Sequence, residues 1–366
     1  MKKTLTYFTA AAVLLAAAGC AKEKSQTTNE AAKRYFEAWM HVHHPDVGKT
    51  GLGIYILDDE PNADEESRLD FADAGYLFVK YTSTDLQGNI TATNDEETAK
   101  RLGNYDRSYY YGPAVWTYDI SSTPAGIMEM LAGMKTGDRR TAVIPGWLMS
   151  YKDYGTEEEY LKNVTDGTSA IYTVQVVDST DNIFRKQIEM IENFEYRYTD
   201  NDGNEQVWKV SPADTVYYGF YYKEICEGTE IDEEDRKEDE EGNKLPYKAL
   251  NEASTVDIKY TGSLLNGQVF DTTDEKTAKD NYIYSSSKTY GATEATWASD
   301  STSVRLGSSS VITGFSSTMC RMKYYGARGI GIFISAWGYG VSGSGSAIPG
   351  YAPLVFDVEI ESDEED

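Results

Sequence analysis

The chain's three histidines, His41, His43 and His44, fall together in the stretch HVHHP. Such a cluster can ligate a metal, yet no fourth ligand is patterned beside it, and histidines exposed at the end of a helix are the competing reading. Asp200, Asp202 and Glu205 lie in DNDGNE, which suggests a calcium loop but lacks the late bidentate glutamate, so an Asp-Gly hairpin turn is expected instead. Cys226 and Cys320 have no histidine or acid patterned around them that would make a nucleophile. They either pair or stay as buried thiols, because nothing in the sequence sets the ~6 Å between Cα atoms that a bridge requires. The second half contains no histidine, no Gly-rich phosphate loop ahead of a helix and no dense Asp/His/Cys cluster. What remains is binding, or a reaction that needs no acid, base, metal or cofactor. Rotation about a peptide bond is such a reaction. Its barrier of ~18–20 kcal/mol comes from resonance across C–N, and an apolar pocket shaped to the twisted form lowers it.

The elements that must position such a pocket are written twice. YTGSLLNGQVFD runs from Tyr260 to Asp271, and YTSTDLQGNITA runs from Tyr81 to Ala92. The same offset of 179 positions links Tyr81 to Tyr260, Gly88 to Gly267, Asp95 to Asp274 and Tyr111 to Tyr290, so the chain carries an internal duplication. Trp116 and Trp297 continue it with a two-residue gap, and GIYIL from Gly53 matches GFYYK from Gly219 as the opening strand of each copy. In the second copy, Val256 to Thr261 alternates as a strand, SLLNGQ turns, and Val269 to Asp271 resumes extended structure. A Tyr/Ser/Thr-rich insertion follows from Asp274 to Ser303, then Val311, Ile312, Phe315 and Met319 suit a short helix over a sheet. GIGIFISAWGYG is a strand entering a loop, SGSGSAIPGYA a flexible loop, and PLVFDVEIES the last strand. Between the copies, Phe184, Ile188, Ile191 and Phe194 fall on one helical face, followed by two strands about a turn. An early helix, with Ala32, Tyr35, Phe36 and Trp39 at helical spacing, precedes both copies, and Glu230 to Lys244 is a solvated, mobile insertion.

A chain of 366 residues accommodates two cores. Its net charge of -26 repels phosphate backbones and excludes nucleic acid as a partner, while 29 tyrosines are far too many for a disordered acidic chain. Lys2 and Lys3, the apolar run Phe8 to Ala18, and Gly19-Cys20 have the layout of an export signal. LLAAAGC resembles the lipobox of bacterial lipoproteins, which implies a diacylated Cys20, attachment to the membrane by lipid alone, and residence in the bacterial cell envelope, at the outer membrane on its periplasmic or surface side. The expected division is 1–19 signal peptide, 20–50 tether and short helix, 51–178 first copy, 179–215 helix and hairpin connector, and 216–366 second copy. Each copy is expected to be α+β, with antiparallel strands and one short helix.

VDIKYTGSLLNGQVFD, LGSSSVITGF, MKYYG, AWGYG and IPGYAPLVFDVEI occur in the order and nearly the spacing of an FKBP-type peptidyl-prolyl isomerase domain, which the second copy resembles over about residues 219–362. The resemblance implies a bent antiparallel sheet wrapped on a short helix, with a proline pocket between them, that rotates X-Pro bonds and assists the folding of exported proteins. By resemblance, Tyr260, Phe270, Asp271, Tyr339 and Phe356 fall on catalytic pocket positions, and Val311, Ile312, Phe315 and Ile348 on substrate-binding ones. Tyr339 would donate to a substrate carbonyl, and Asp271 would make a buried polar contact to Tyr260 or to the ligand. Phe315 stands where the family usually has Trp as the pocket floor. The partners implied are X-Pro segments of unfolded or exported proteins. In the first copy, Thr91 and Ala92 replace Phe270 and Asp271, and Thr123, Pro124 and Ile127 stand for Val311, Ile312 and Phe315; Tyr154 and Tyr172 keep the frame. That copy is expected to be FKBP-like and inactive, or to have a pocket re-lined by Trp116 or Trp147. The alternative for the whole chain is a noncatalytic, chaperone-like or peptide-binding envelope lipoprotein.

Overall fold

A computed structural model describes residues 28–62, 75–119, 123–149, 156, 158, 168–238 and 242–362. Cys20, the expected signal peptide and Tyr154 lie outside them. The chain opens with α1 (Thr28–His43), whose Phe36 and Met40 pack on Tyr55, Leu86 and Val143 of the first copy. His43 stacks on Trp39 with ring centroids 4.5 Å apart, its Nδ1 lies 2.9 Å from the Trp39 carbonyl, and His44 meets the same indole at 5.3 Å, so these two histidines gather on it at the helix end. Among the described residues, no three His, Cys, Asp or Glu side chains are placed to hold a metal.

The first copy contains β1 (Tyr55–Glu60), β2 (Tyr76–Thr84), β3 (Ile90–Thr93), α2 (Glu96–Leu102), β4 (Ala114–Thr117), α3 (Ala125–Leu131), β5 (Arg139–Ile144) and β6 (Ala170–Thr180). A connector follows, made of α4 (Ile183–Glu192) and the hairpin β7 (Glu195–Thr199) and β8 (Glu205–Lys209). The second copy contains β9 (Thr215–Tyr217), β10 (Phe220–Cys226), β11 (Thr255–Leu264), β12 (Val269–Thr272), α5 (Glu275–Asp280), β13 (Thr293–Thr296), β14 (Arg305–Leu306), β15 (Ser309–Ser310), α6 (Thr313–Arg321), β16 (Arg328–Phe333) and β17 (Leu354–Ile360). The fold is α+β. One sheet runs β1-β5-β6-β2-β3 with β4 also on β2; the other carries the same path as β10-β16-β17-β11, with β12 and β13 both on β11.

The duplication holds at the level of single contacts. Thr82 faces Thr93 and Ser83 faces Ala92, as Thr261 faces Thr272 and Gly262 faces Asp271, and each pair is followed by the same bulge. Asp95 and Asp274 cap their helices by accepting from the N–H three residues on, at 2.8 and 2.6 Å. Tyr105 and Tyr111 lie 5.3 Å apart, as do Tyr284 and Tyr290, each pair under a lysine of the capped helix. The sheet corrects one expected match, however. Trp116 pairs with Leu77, whose counterpart Val256 pairs with Ala295, so Trp116 occupies the position of Ala295. The true counterpart of Trp297 is Tyr118: the two donate their N–H groups to Ser254 and Gly75 at 2.8 Å in each case. Ladder hydrogen bonds fix register, and likeness of residue type does not.

The connector packs on the back of the second sheet, where Ile191, Trp208 and Val210 join Tyr221, Ile330, Ile332, Ile334 and Val355 in one buried cluster. Gln187 is buried and held at both amide atoms: its oxygen accepts from Ser335 N at 2.7 Å and its nitrogen donates to Ser335 Oγ at 3.1 Å. Arg328 clasps Asp357 and also donates to the Thr199 carbonyl, tying the hairpin down. In the turn of that hairpin, Asp200 accepts from Asp202 N, Asn204 N and Gln206 Nε2, so its carboxylate serves the turn.

Three segments are more ordered than the sequence suggested. Glu230 bridges Tyr247 and Glu238 bridges Lys244, so the acidic insertion folds back on itself. The Tyr/Ser/Thr-rich stretch after Asp274 supplies α5 and the sheet strand β13. The Gly/Ser loop closes on a two-bond bridge between Ser344 and Ile348, and Tyr351 N donates to Gly340 O at 2.8 Å. Backbone pairing, which composition does not reveal, removes the freedom expected of such glycines and serines.

Candidate active site

The site of the second copy is a ring cluster between β11, β12, β17 and α6. Phe356 of β17 is its hub, with Phe315 at 5.2 Å, Phe270 at 5.6 Å and Tyr260 at 6.3 Å, and Phe333 stacked at 6.0 Å. Tyr260 also meets Phe315 edge-on at 5.4 Å. Offset and edge-to-face geometry at these separations is the favourable one for aromatic pairs. Phe315, Phe356 and Ile348 are buried, and Phe270, Val311 and Ile312 are partly buried against them. The fold therefore brings all nine expected residues to one end of the sheet and helix, although Tyr339 keeps 37% of its surface exposed at the edge.

Two glycines make this possible. A Cβ on Gly262 would come within 2.6 Å of Phe270 and 2.9 Å of Phe356, so both rings lie over bare backbone in mid-strand. On α6, a Cβ at Gly314 would meet Phe333 at 2.3 Å, which sets how closely the helix sits on the sheet. Trp297 holds the other end of α6 by donating its Nε1–H to the carbonyls of Met319 and Met322, at 3.1 and 2.8 Å, where a helix leaves acceptors open.

Polar groups are few. Tyr260 Oη donates to Asp271 Oδ2 at 2.8 Å, as the resemblance implied. The contact is not buried, because the Asp271 side chain is 42% exposed. A residue that sequence reasoning missed, Lys288, meets the carboxylate there: it pairs with the other Asp271 oxygen and stands over the rings of Tyr260 and Tyr290 at 6.0 and 5.7 Å. Lys288 enters from the loop after α5, and its position in the first copy is Tyr109, so no repeat pattern marks it. Burial, then the Asp271 charge and hydrogen bond, push the Tyr260 hydroxyl well above the ordinary tyrosine range. Burial and the Asp271 charge push Tyr339 upward as well. Among the described residues, no acceptor takes the Ile312 N–H and no partner takes the Tyr339 hydroxyl. A donor at the mouth of an apolar cluster beside a free backbone N–H is suited to hold the carbonyls of an extended peptide.

Residues 247–361 match the model of the family described as FKBP-type peptidyl-prolyl cis-trans isomerase. The second copy is an FKBP-type domain. It covers the ring cluster, Lys288, the α6 glycine and both loops at the mouth. No curated protein matches the chain in sequence. Solved structures similar to the chain include the three FKBP domains of wheat FKBP73, at 14% identity over 86% of this chain and 95% of that one, with TM-score 0.26. FkpA from Escherichia coli is 19% identical over 49% of this chain and 71% of its own, with TM-score 0.28. A peptidyl-prolyl cis-trans isomerase from Pseudomonas syringae pv. tomato is 19% identical over 49% and 92%, with TM-score 0.25.

The first copy keeps the frame of the FKBP-type domain and loses its lining. Tyr81, Trp116 and Tyr172 stand where Tyr260, Ala295 and Phe356 stand in the second copy, with Tyr81 and Trp116 centroids 5.0 Å apart. Ile127 replaces Phe315 on the helix, and a Cβ on Gly126 would meet Ile144 at 2.3 Å, as Gly314 meets Phe333. Bulk has moved from helix to strand. No acid faces Tyr81 from the position of Asp271, which is Ala92.

Proposed function

We propose that the FKBP-type domain rotates X-Pro bonds in the apolar site bounded by Tyr260, Phe270, Phe315, Ile348 and Phe356. The observation that carries this reading is the convergence of four aromatic rings on one spot, with two donors that have no partner among the described residues, the Ile312 N–H and the Tyr339 hydroxyl, inside the segment that matches the family. Moving the amide out of water removes hydrogen bonds that favour the planar, charge-separated form, and donors fixed at the mouth orient the peptide without stabilising that form. Val311 and Ile312 receive the peptide backbone, and Tyr339 donates to a substrate carbonyl. The substrates are proline-containing segments of unfolded or exported chains. The protein is held in the bacterial envelope by lipid on Cys20, and the first copy, with Ala92, Thr91 and Ile127 in place of the lining, does not turn over proline bonds.

The test is the rate of cis/trans exchange in a proline-containing peptide with the full-length chain, beside Phe270→Ala and Tyr339→Phe. Acceleration by the wild type is expected, with a large loss in Phe270→Ala and a reduction of about two- to tenfold in Tyr339→Phe; a wild-type rate equal to the uncatalysed one overturns the enzyme. Retention of peptide affinity in that outcome supports the second reading, a noncatalytic peptide-binding protein, which the smaller Phe315 floor favours. Mass spectrometry of the mature N-terminus tests the anchor, and an unmodified Cys20 refutes it.

A further inference from the structure

The loop of the first copy between α2 and β4 does not stay with its own domain. It crosses to the second one and touches it at three points, two of them within two residues of Phe270 and Ile348. The guanidinium of Arg107 lies 4.1 Å from the ring of Tyr282, in the loop that delivers Lys288. The Ser108 carbonyl accepts from Gln268 Nε2 at 3.0 Å, two residues before Phe270. The Tyr110 N–H donates to the Ser346 carbonyl at 2.8 Å, two residues before Ile348, and the Tyr110 ring packs on the core cluster that holds the site. The crossing loop is itself braced, because Asp106 accepts from both the N–H and the hydroxyl of Ser108, at 2.9 and 2.7 Å. Below it, a crevice of about 180 Å³ between the domains is lined by Phe78, Tyr110, Leu264, Pro349 and Tyr351, among others.

We propose that this loop is a third lip of the isomerase site, and that Tyr110 with Arg107 selects the residue preceding the proline. The loop does not plug the site: the Ile312 N–H and the Tyr339 hydroxyl remain free beside it. A proline ring that fills the pocket leaves its preceding residue at the mouth, and the crossing loop meets the site's own segments there through Gln268 and Ser346, with Tyr110 partly buried against the core that holds the rings. The rim there is aromatic, with Tyr109 and Tyr282 both substantially exposed, so the favoured neighbour is an aromatic or bulky apolar side chain in an extended, unfolded segment. The first copy thereby contributes selectivity without chemistry of its own.

This inference rests on the proposed isomerase reading, and the experiment separates the two. The full-length chain is assayed on peptides that differ only in Phe or Ala before the proline, with kcat/KM and calorimetric affinity measured for each. The wild type should prefer Phe-Pro; Tyr110→Ala should shrink that preference about three- to tenfold, mainly through KM, while Tyr110→Phe keeps it. A role in folding alone would lower both substrates equally and leave the ratio untouched. Should Tyr110→Ala lower the thermal transition, Gln268→Ala, which frees the loop without removing a ring, is expected to shrink the ratio in the same direction. An unchanged ratio in folded variants overturns the lip and leaves the isomerase standing. A wild type that binds neither peptide overturns both, and one that binds without turnover but loses its Phe preference in Tyr110→Ala upholds the lip alone.

Discussion

Tyr339 and Asp271 decide how the site responds to pH. Tyr339 donates only while protonated, and burial beside the Asp271 charge moves its ionisation above the ordinary tyrosine value of about 10. A raised pKa keeps the neutral, donating form present at every pH below that value and loses it only above. Of the chain's three histidines, His41 and His43 end α1 and His44 follows it, and α1 packs on the first copy, so no imidazole stands at the site. We therefore expect kcat/KM to be flat from about pH 6 to about pH 9 and to fall only in more alkaline solution, with the fall absent in Tyr339→Phe. That variant should also lose about two- to tenfold in kcat/KM at neutral pH, the worth of one net hydrogen bond, with its melting transition unchanged. At this scale the sequence was legible where motif and geometry coincide: VFD and AWGYG place Phe270, Asp271 and Tyr339 where the structure has them. Lys288 was not legible, because an ion pair between residues 17 positions apart across a loop leaves no periodic trace. Nor was the exposure of Asp271, which depends on what that loop does not cover.

Among elements, α6 carries the most consequence, since it supplies Ile312 at its start and Phe315 one turn on. Its distance from the sheet is set by Gly314, and its last carbonyls are held by the indole of Trp297. Gly314→Ala would push the helix off Phe333, so we expect about 1–3 kcal/mol lost in urea unfolding together with reduced turnover as Phe315 shifts. Trp297→Phe keeps most of the apolar ring but leaves the Met322 carbonyl without its donor, while Met319 keeps only the Met322 N–H. It should cost about 1–3 kcal/mol in the same measurement, with a smaller effect on KM. The helix itself was legible from the spacing of Val311, Ile312, Phe315 and Met319. The partner of Trp297 was misjudged because tryptophans were matched to each other, whereas Trp116 faces Leu77 and Tyr118 holds the equivalent place. The Gly/Ser loop was misjudged for a related reason: composition reports what a segment is able to do, and the bridge between Ser344 and Ile348 reports what its surroundings impose.

The whole molecule joins two copies of one frame that differ in where they keep their bulk. In the second, Phe315 on the helix and the small Ala295 on the strand leave the space beside Tyr260 open toward β12, where Phe270 and Asp271 line it. In the first, Ile127 on the helix and Trp116 on the strand exchange those volumes, which a core tolerates at little cost to the fold. The indole, 5.0 Å from Tyr81, then stands on the strand side of the pocket, and Thr91 and Ala92 offer neither a wall nor an acid. Two consequences separate fold from chemistry. In the full-length chain, Phe270→Ala combined with Tyr339→Phe should reduce proline isomerisation to the uncatalysed rate, as the proposed inactivity of the first copy requires; residual acceleration would assign turnover to the pocket beside Trp116. In that silent background, Thr91→Phe with Ala92→Asp should remain without activity while Trp116 is present, because the restored wall meets a site already filled from the strand. Activity returning without any change at Trp116 would mean that β12 and its partner alone decide catalysis, and that the exchange of bulk between helix and strand is irrelevant to it.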